Sequence, residues 1–506
     1  MKKMLFLILA VFIAATNSCG GMSGPEANNS GSANASDDSQ GISNMPGEEQ
    51  AQSADYEYGG EKLDFLGETF IVLYPSWGLY TDYYFAEEEN GDAVNDALYR
   101  RITDTNEFFN IKIQARTPGG YDSIAPEMSK EALSGTNSFD IALTHCVSGL
   151  DSIVAQNLAY NWNDMPNVDF SKKYWNTSMN EYLNINGYMP FVANDFIIPD
   201  PCFMTFSKDL LQQYSLEDPY DIVKAGKWTW DKLTEMAKQV SKDVDGDGDY
   251  TERDLYGFVG ELDWQFVNAM YACDQRVMKK NSDNRYVLDV NTEKMQTIVD
   301  KFYDLVYVGN YSFTYAYDAK NSGQPYIPFD SGRALFYMNT PTYVQELRAT
   351  EFDFGILPYP KFDERQPSYV TLNWAGTICV PLNVANPEKV GAVAEYLGAK
   401  SHEIVLPAYF NILLSGKLTR DDESLDMLDI IYGDSIYDFG LNFSAFNDLL
   451  YVLPRLLQLQ TPSAMAVSSE GQASNGLASF YEQRADNIQR QYDKVYDAFI
   501  ANSEAQ

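Results

Sequence analysis

The chain has 506 residues, with 72 acidic side chains against 36 basic ones and a formal net charge of −36. That balance argues against nucleic acid and an anionic membrane surface as partners, since both repel a strongly acidic protein. Only two histidines, His145 and His402, are present, which excludes a histidine-rich metal site or an extended imidazole relay.

Lys2 and Lys3 precede an apolar run from Met4 to Ala15. This is the charged and apolar pattern of an export signal, too short to persist as a membrane-spanning helix. Cys19 follows Thr16-Asn17-Ser18 and resembles a lipobox cysteine, with Thr16 where leucine is usual. Lipidation at Cys19 and plain secretion are the two readings. Residues 20–61 are rich in Gly, Ser, Asn, Ala, Asp, Glu and Gln and are expected to form a disordered tether. Roughly 440 residues remain, more than one core commonly holds, so at least two domains are expected.

Strand Phe65–Tyr74, helix Asp92–Phe109, strand Ile111–Ala115, helix Tyr121–Leu133 and strand Phe139–Leu143 follow in order. Strands alternating with helices predict a parallel α/β layer. Ligands of such layers lie beyond the carboxyl ends of the strands, where Trp77, Tyr80 and His145 fall. Pro199-Asp200-Pro201 punctuates the passage into a second region, which opens with Phe203–Phe206. Thr229 is the expected N-cap of a helix carrying Leu233, Met236, Ala237 and Val240 on one face.

Asp243-Val244-Asp245-Gly246-Asp247-Gly248-Asp249-Tyr250-Thr251-Glu252-Arg253-Asp254 reads as a calcium loop. Calcium needs several oxygens converging at fixed offsets. Asp243, Asp245 and Asp247 fill positions 1, 3 and 5, and Gly248 makes the sharp turn at position 6. Asp249 offers its carbonyl, Thr251 holds a water, and Asp254 stands where a bidentate Glu is usual. With no second loop, the ion is structural rather than sensory, and the alternative is a solvated acidic turn.

Further strands are expected at Tyr256–Val259 and Ala334–Met338, with helices beginning near Asp263 and spanning Asn291–Val308. Phe352–Leu357 leads into a second proline-punctuated crossing at Pro358-Tyr359-Pro360. Tyr369–Val380 reads as strand with Trp374 inside it. A helix follows at Pro387–Gly398, and the remainder is mostly helical. Besides Cys19 the cysteines are 146, 202, 273 and 379, which allow three pairings; Cys146 and Cys379 read as buried thiols.

Lys227-Trp228-Thr229-Trp230-Asp231, the acidic loop and Gly257-Phe258, in that order, resemble bacterial extracellular solute-binding proteins of ABC importers, a family related to maltodextrin-binding proteins. Phe206-Ser207-Lys208-Asp209-Leu210-Leu211, Ser331-Gly332-Arg333-Ala334-Leu335-Phe336 and Gly355-Ile356-Leu357-Pro358-Tyr359-Pro360 resemble other segments of the same family, with Ser207 in place of the usual Asn. The likeness covers roughly residues 62–500. It implies an α/β, two-lobed periplasmic-binding-protein-like fold with hinge crossings around a central cleft. It also implies a receptor, not an enzyme, that closes on a solute and delivers it to a membrane permease.

The expected layout is a lipoprotein signal over 1–19, the tether over 20–61 and lobe I over 62–198, with about 358–400 returning to it. Lobe II spans 199–357, and a helical region over 401–506 packs on the lobes. The abundant Tyr and Trp suit a sugar, whose flat faces stack on aromatic rings. The candidate ligand residues are Trp77, Tyr80, Asn194, Asp195, Trp264, Asn339, Tyr343 and Trp374; Trp228 and Trp230 read as core. The expected partners are a carbohydrate solute, an ABC permease and, through Cys19, a lipid anchor on the outer face of the membrane or in the periplasm. Ca2+ is the expected structural cofactor, and the protein is expected to be monomeric. A secreted glycan-active hydrolase and a transporter-independent surface glycan-binding protein are the alternatives. Neither a Gly-x-Ser-x-Gly elbow nor a recognisable pair of catalytic acids supports the hydrolase.

Overall fold

The computed structural model describes residues 55–76, 84–282, 285–315, 327–341, 347, 350–414, 422–433, 435–443, 447–458 and 476–505. In chain order its strands are β1 (Glu68–Leu73), β2 (Ile111–Arg116), β3 (Ile141–Thr144), β4 (Phe203–Ser207), β5 (Tyr256–Glu261), β6 (Met278–Lys280), β7 (Tyr286–Leu288), β8 (Ser312–Tyr315), β9 (Ala334–Asn339), β10 (Phe354–Leu357), β11 (Thr371–Leu372), β12 (Thr377–Cys379) and β13 (Ser435–Ile436).

Two sheets organise two lobes. The first has the order β12-β3-β1-β2. Strand β1 runs parallel to β2, with Glu68 opposite Ile111, and parallel to β3, with Val72 opposite Ile141. Strand β12 returns antiparallel, placing Thr377 opposite Thr144. Helices Ala93–Phe109 and Ile124–Ser134 make the connections. Asp92 caps the first by accepting from the amides of Val94 and Asn95, and Asn110 ends it in the left-handed region.

Strand alternation explains why both faces of this sheet are covered. Phe70, Val72, Ile141, Leu143 and Ile378 point into one apolar cluster, while Leu73, Ala142 and Cys379 point into another. The second sheet has the order β10-β4-β9-β5-β8. Met204, Phe206, Phe258, Phe336 and Met338 face its inner cluster, and Phe203, Tyr256, Val259 and Tyr337 the outer one.

Helix Trp230–Val240 lies against β5 as its apolar spacing predicts. Thr229 accepts from the Lys232 amide at 3.2 Å, and Trp230, Leu233, Met236, Ala237 and Val240 are buried. Trp228 is fully buried and donates from Nε1 to the Pro358 carbonyl at 3.0 Å. Both tryptophans therefore belong to the core, as their place in the sequence suggested. Ser207 caps Lys208–Gln213 by accepting from the Leu210 amide, which explains why serine serves at this position. The thiols of Cys146, Cys202, Cys273 and Cys379 are all buried and free.

The chain passes between lobes more than once. The first crossing ends at Pro201, which bridges to Asn373; the second crossing lies there and not at the expected Pro358-Tyr359-Pro360, because Pro358 and Lys361 remain bonded to Trp228 and Trp230 of the second lobe. The expected continuous strand over Tyr369–Val380 is in fact β11 and β12, separated by a turn. Asn373 makes that turn, because its Oδ1 accepts from the amides of both Asp200 and Ala375. A third passage follows the helix Asp422–Gly433, where β13 pairs in parallel with β11. The last helix, Ala485–Ala505, reaches both lobes. Asn502 donates to the Val154 carbonyl of the first lobe, while Tyr492 accepts from the Tyr286 amide of the second.

Gly257 is the closest approach of strand to helix: a Cβ there would meet Ala237 Cα and the Ala237 carbonyl oxygen at 2.2 Å. Gly257→Ala forces β5 off the helix and lowers unfolding free energy by about 1–3 kcal/mol, read from the denaturant midpoint. An unchanged midpoint contradicts this packing.

Candidate functional site

Residues of the C-terminal region reach the carboxyl ends of both β3 and β5. Asn442, in the C-terminal segment, donates from Nδ2 to the Cys146 carbonyl just beyond β3. The Tyr451 phenol feels both Cys146 and the acids Asp263 and Glu261 at the end of β5; burial is the main cause of its upward shift. Solutes of α/β layers lie beyond strand ends, which makes this region the candidate site.

Trp264 begins the helix Trp264–Ala272 directly after β5. Trp374 belongs to the turn between β11 and β12. The two rings meet edge to face, with centroids 6.0 Å apart and planes at 87°. Both remain half-buried, and Trp374 Nε1 donates to Asn268 Oδ1 at 2.9 Å, which fixes its ring. Two of the residues chosen from sequence are thus brought together from distant parts of the chain.

Three others are committed elsewhere. Asn194 is 3% exposed; its Nδ2 donates to the Ala394 carbonyl and its Oδ1 accepts from the Phe196 amide. It fastens the helix Pro387–Lys400 to the first crossing and has no free edge for a solute. Asp195 Oδ2 lies 2.8 Å from His402 Nδ1, and His402 in turn stacks on Tyr56 at 3.8 Å. Burial raises the Asp195 carboxyl, and the histidine contact counters part of that rise. Asn339 is 1% exposed at the end of β9, donating to Thr205 Oγ1 and accepting from the Thr340 amide. Asn194 and Asp195 sit near the first crossing and Asn339 at the end of β9, as read from sequence, but each side chain is bonded within the protein. Trp77, Tyr80, Tyr343 and Cys19 lie outside the described residues.

His145 ends β3 and is buried. That burial pushes it down to about 4, so it is neutral at physiological pH. Its Nδ1 accepts from the Val147 amide at 3.3 Å. The adjacent Cys146 thiol is shifted far upward by burial and is not an activated nucleophile.

In the acidic loop, Asp243, Asp245 and Asp247 each offer a carboxylate oxygen within 4.8 Å of the others. Gly246 and Gly248 take positive φ angles of 75° and 91°, which lets the backbone turn tightly enough to gather them. The charge concentration is felt at Asp245. Its hydrogen bond from the Asp247 amide lowers it, but desolvation and the carboxylates of Asp247, Asp254 and Asp243 leave it raised. This donor set fits a hard cation. Asp254 is 1% exposed and closes the loop from within, accepting from the amides of Val244 and Thr251 and from Thr251 Oγ1. Thr251 and Asp254 are therefore tied to each other, and Asp249 donates its amide to Asp247 Oδ1.

The residue that sequence reasoning missed is Asp200. Its amide donates to Asn373 Oδ1 at 3.0 Å and its carbonyl accepts from the Trp374 amide at 3.3 Å, so it sits beside the tryptophan pair. Its Oδ1 is fully covered and accepts no hydrogen bond. The signal was visible: an acid between Pro199 and Pro201 has its neighbours' backbone angles fixed. Burial pushes its carboxyl up to about 7. The folded protein thus retains a proton that the unfolded chain, titrating near ~3.9, has released. The Asp200 share of solute-free stability is complete below pH ~4 and is lost as pH rises through about 7. Asp200→Asn removes this loss: its melting temperature stands a few degrees above the parent at pH 8 and level with it at pH 4. Equal differences at both pH values contradict the assignment.

Residues 101–400 match the family described as bacterial extracellular solute-binding protein. No curated protein sequence matches the chain. Among solved structures, the fold is similar to an ABC substrate-binding protein of Listeria monocytogenes in complex with cycloalternan (TM-score 0.51, 12% identity, covering 85% of this chain and 98% of that one). It is similar to UgpB of Mycobacterium tuberculosis in complex with glycerophosphocholine (TM-score 0.56, 15% identity, 78% and 95% covered). It is also similar to the maltose/maltodextrin-binding domain MalE of Bdellovibrio bacteriovorus bound to maltotriose (TM-score 0.52, 12% identity, 84% and 99% covered). These likenesses agree with the two-lobed α/β architecture, and the chain belongs to the bacterial extracellular solute-binding protein family.

Proposed function

We propose that the protein is the extracellular receptor of an ABC importer, which captures a carbohydrate by closing its lobes and delivers it to a membrane permease. The observation that carries this reading is the Trp264–Trp374 pair, half-buried and edge to face, with Trp264 from the second lobe and Trp374 from a crossing. Aromatic faces beside hydrogen-bonding groups suit a sugar ring, which is apolar on its faces and polar at its rim. Solved relatives in complex with cycloalternan and maltotriose add support. Closure needs only differential affinity for the closed state, so capture requires no bond to be made or broken. Family membership favours this receptor role over a hydrolase.

In this reading the acidic loop holds a structural Ca2+ through Asp243, Asp245 and Asp247, and the ion screens their mutual repulsion and fixes the loop between helix Trp230–Val240 and β5. A lipid on Cys19 and the tether behind it keep the receptor near its permease as a monomer. Among the described residues, no helix is long and apolar enough to cross a membrane.

Two measurements check these points. Titration of tryptophan fluorescence with malto-oligosaccharides and other oligosaccharides gives saturable binding, and Trp374→Ala weakens it by about tenfold or more while leaving the fold intact. Full affinity in that variant removes the aromatic pair from the site. Separately, millimolar Ca2+ raises the melting temperature by several degrees, EDTA reverses the rise, and Asp245→Asn with Asp247→Asn abolishes it. A melting temperature indifferent to Ca2+ and chelator defeats the calcium assignment.

A further inference from the structure

Asp200 bears on which solute the crevice accepts. A carboxylate oxygen taken out of water without a hydrogen bond is costly, and the cost is recovered only when a donor or a cation reaches it. Asp200 Oδ1 is in that condition, and burial raises its proton affinity, with no cation among the described residues offsetting it. The buried guanidinium of Arg101 is not among the groups acting on Asp200; it donates to the Tyr84 carbonyl and Ser401 Oγ and lies over the Phe196 ring. A second covered oxygen, Tyr432 Oη, also makes no hydrogen bond, and it lies within the electrostatic reach of Asp200. Asp200 itself adjoins an indole pair whose faces attract positive charge, since its carbonyl accepts from the Trp374 amide.

A neutral hydroxyl would give Asp200 one hydrogen bond and leave its charge uncompensated. A protonated amine supplies charge and up to three donors together, and charge-assisted bonds are the stronger kind. We propose that the solute carries a protonated nitrogen, as an amino-bearing saccharide does, and that Asp200 is the residue that selects for it. This rests on the carbohydrate-receptor reading above and narrows its substrate class. The ammonium sits against Asp200 Oδ1, Tyr432 Oη accepts a further N–H, and the sugar body lies toward Trp374 and Trp264. The excess of acidic over basic side chains in the chain favours the approach of such a cation.

The test is calorimetric titration of the full chain with three sets of oligosaccharides of equal length: glucosamine oligomers, their N-acetylated counterparts and malto-oligosaccharides. The glucosamine oligomers are expected to bind about tenfold or more tighter than either neutral set. Asp200→Asn erases that preference, weakening the amine ligand while moving the neutral ones little, and thermal melting verifies that the variant is folded. Tyr432→Phe gives a smaller loss confined to the amine ligand. Parent protein that binds neutral oligosaccharides as tightly as, or tighter than, the amine form overturns the amine inference alone. So does an Asp200→Asn variant that weakens all sets equally, because the carboxylate then holds a hydroxyl. Binding of no saccharide at all overturns the carbohydrate reading and this inference with it. Should Asp200→Asn fail to fold, Asp200→Ser and the selectivity of the parent protein decide the matter.

Discussion

One buried side chain ties the three passages between the lobes. Asn373 accepts at Oδ1 from Asp200 of the first crossing and from Ala375 of its own, and donates from Nδ2 to the Tyr437 hydroxyl after the third. Its amide also donates to the Ile436 carbonyl. It is 1% exposed, so none of these bonds competes freely with water. Removing this side-chain amide would leave the backbone amides of Asp200 and Ala375 without this partner at the point where lobes must hinge.

From that knot the site follows. The Asp200 carbonyl accepts from Trp374, so fixing Asp200 also fixes the backbone from which Trp374 extends. Trp374 is then held by Asn268 on the helix that starts with Trp264, so a residue of the second lobe is locked to the crossing. Rigid aromatics with anchored polar edges lose little entropy when a solute stacks on them. The cost of the arrangement falls on Asp200, whose carboxyl is stranded where the chain crosses. An uncompensated polar group of this kind is tolerated at functional sites because a ligand completes it.

The C-terminal region adds a constraint on motion. Arg285 pairs with Asp493, Tyr286 bonds to Tyr492 and stacks on Phe439, and Ser503 donates to the Asn186 carbonyl. Helix Ala485–Ala505 therefore touches the β6–β7 hairpin and the first lobe together, which limits how the lobes swing relative to each other.

Much of the fold was legible in the sequence. Alternation located β1, short apolar runs located β3, β4, β5 and β9, the Thr229 cap and its apolar spacing located helix Trp230–Val240, and the aspartates of the acidic loop announced themselves by spacing. These features depend on neighbours a few residues apart, and so the chain carries them locally. Only tertiary structure decided which polar groups face the crevice. Asn194, Asp195 and Asn339 stand near crossings, but Ala394, His402 and Thr205 claim their side chains from far along the chain. Asp200 and Asn373 are 173 residues apart, and nothing in either segment alone tells that the side chain of one would hold the backbone of the other. A hydrogen bond of that separation exists only after the lobes have folded, because its two ends have no local reason to meet.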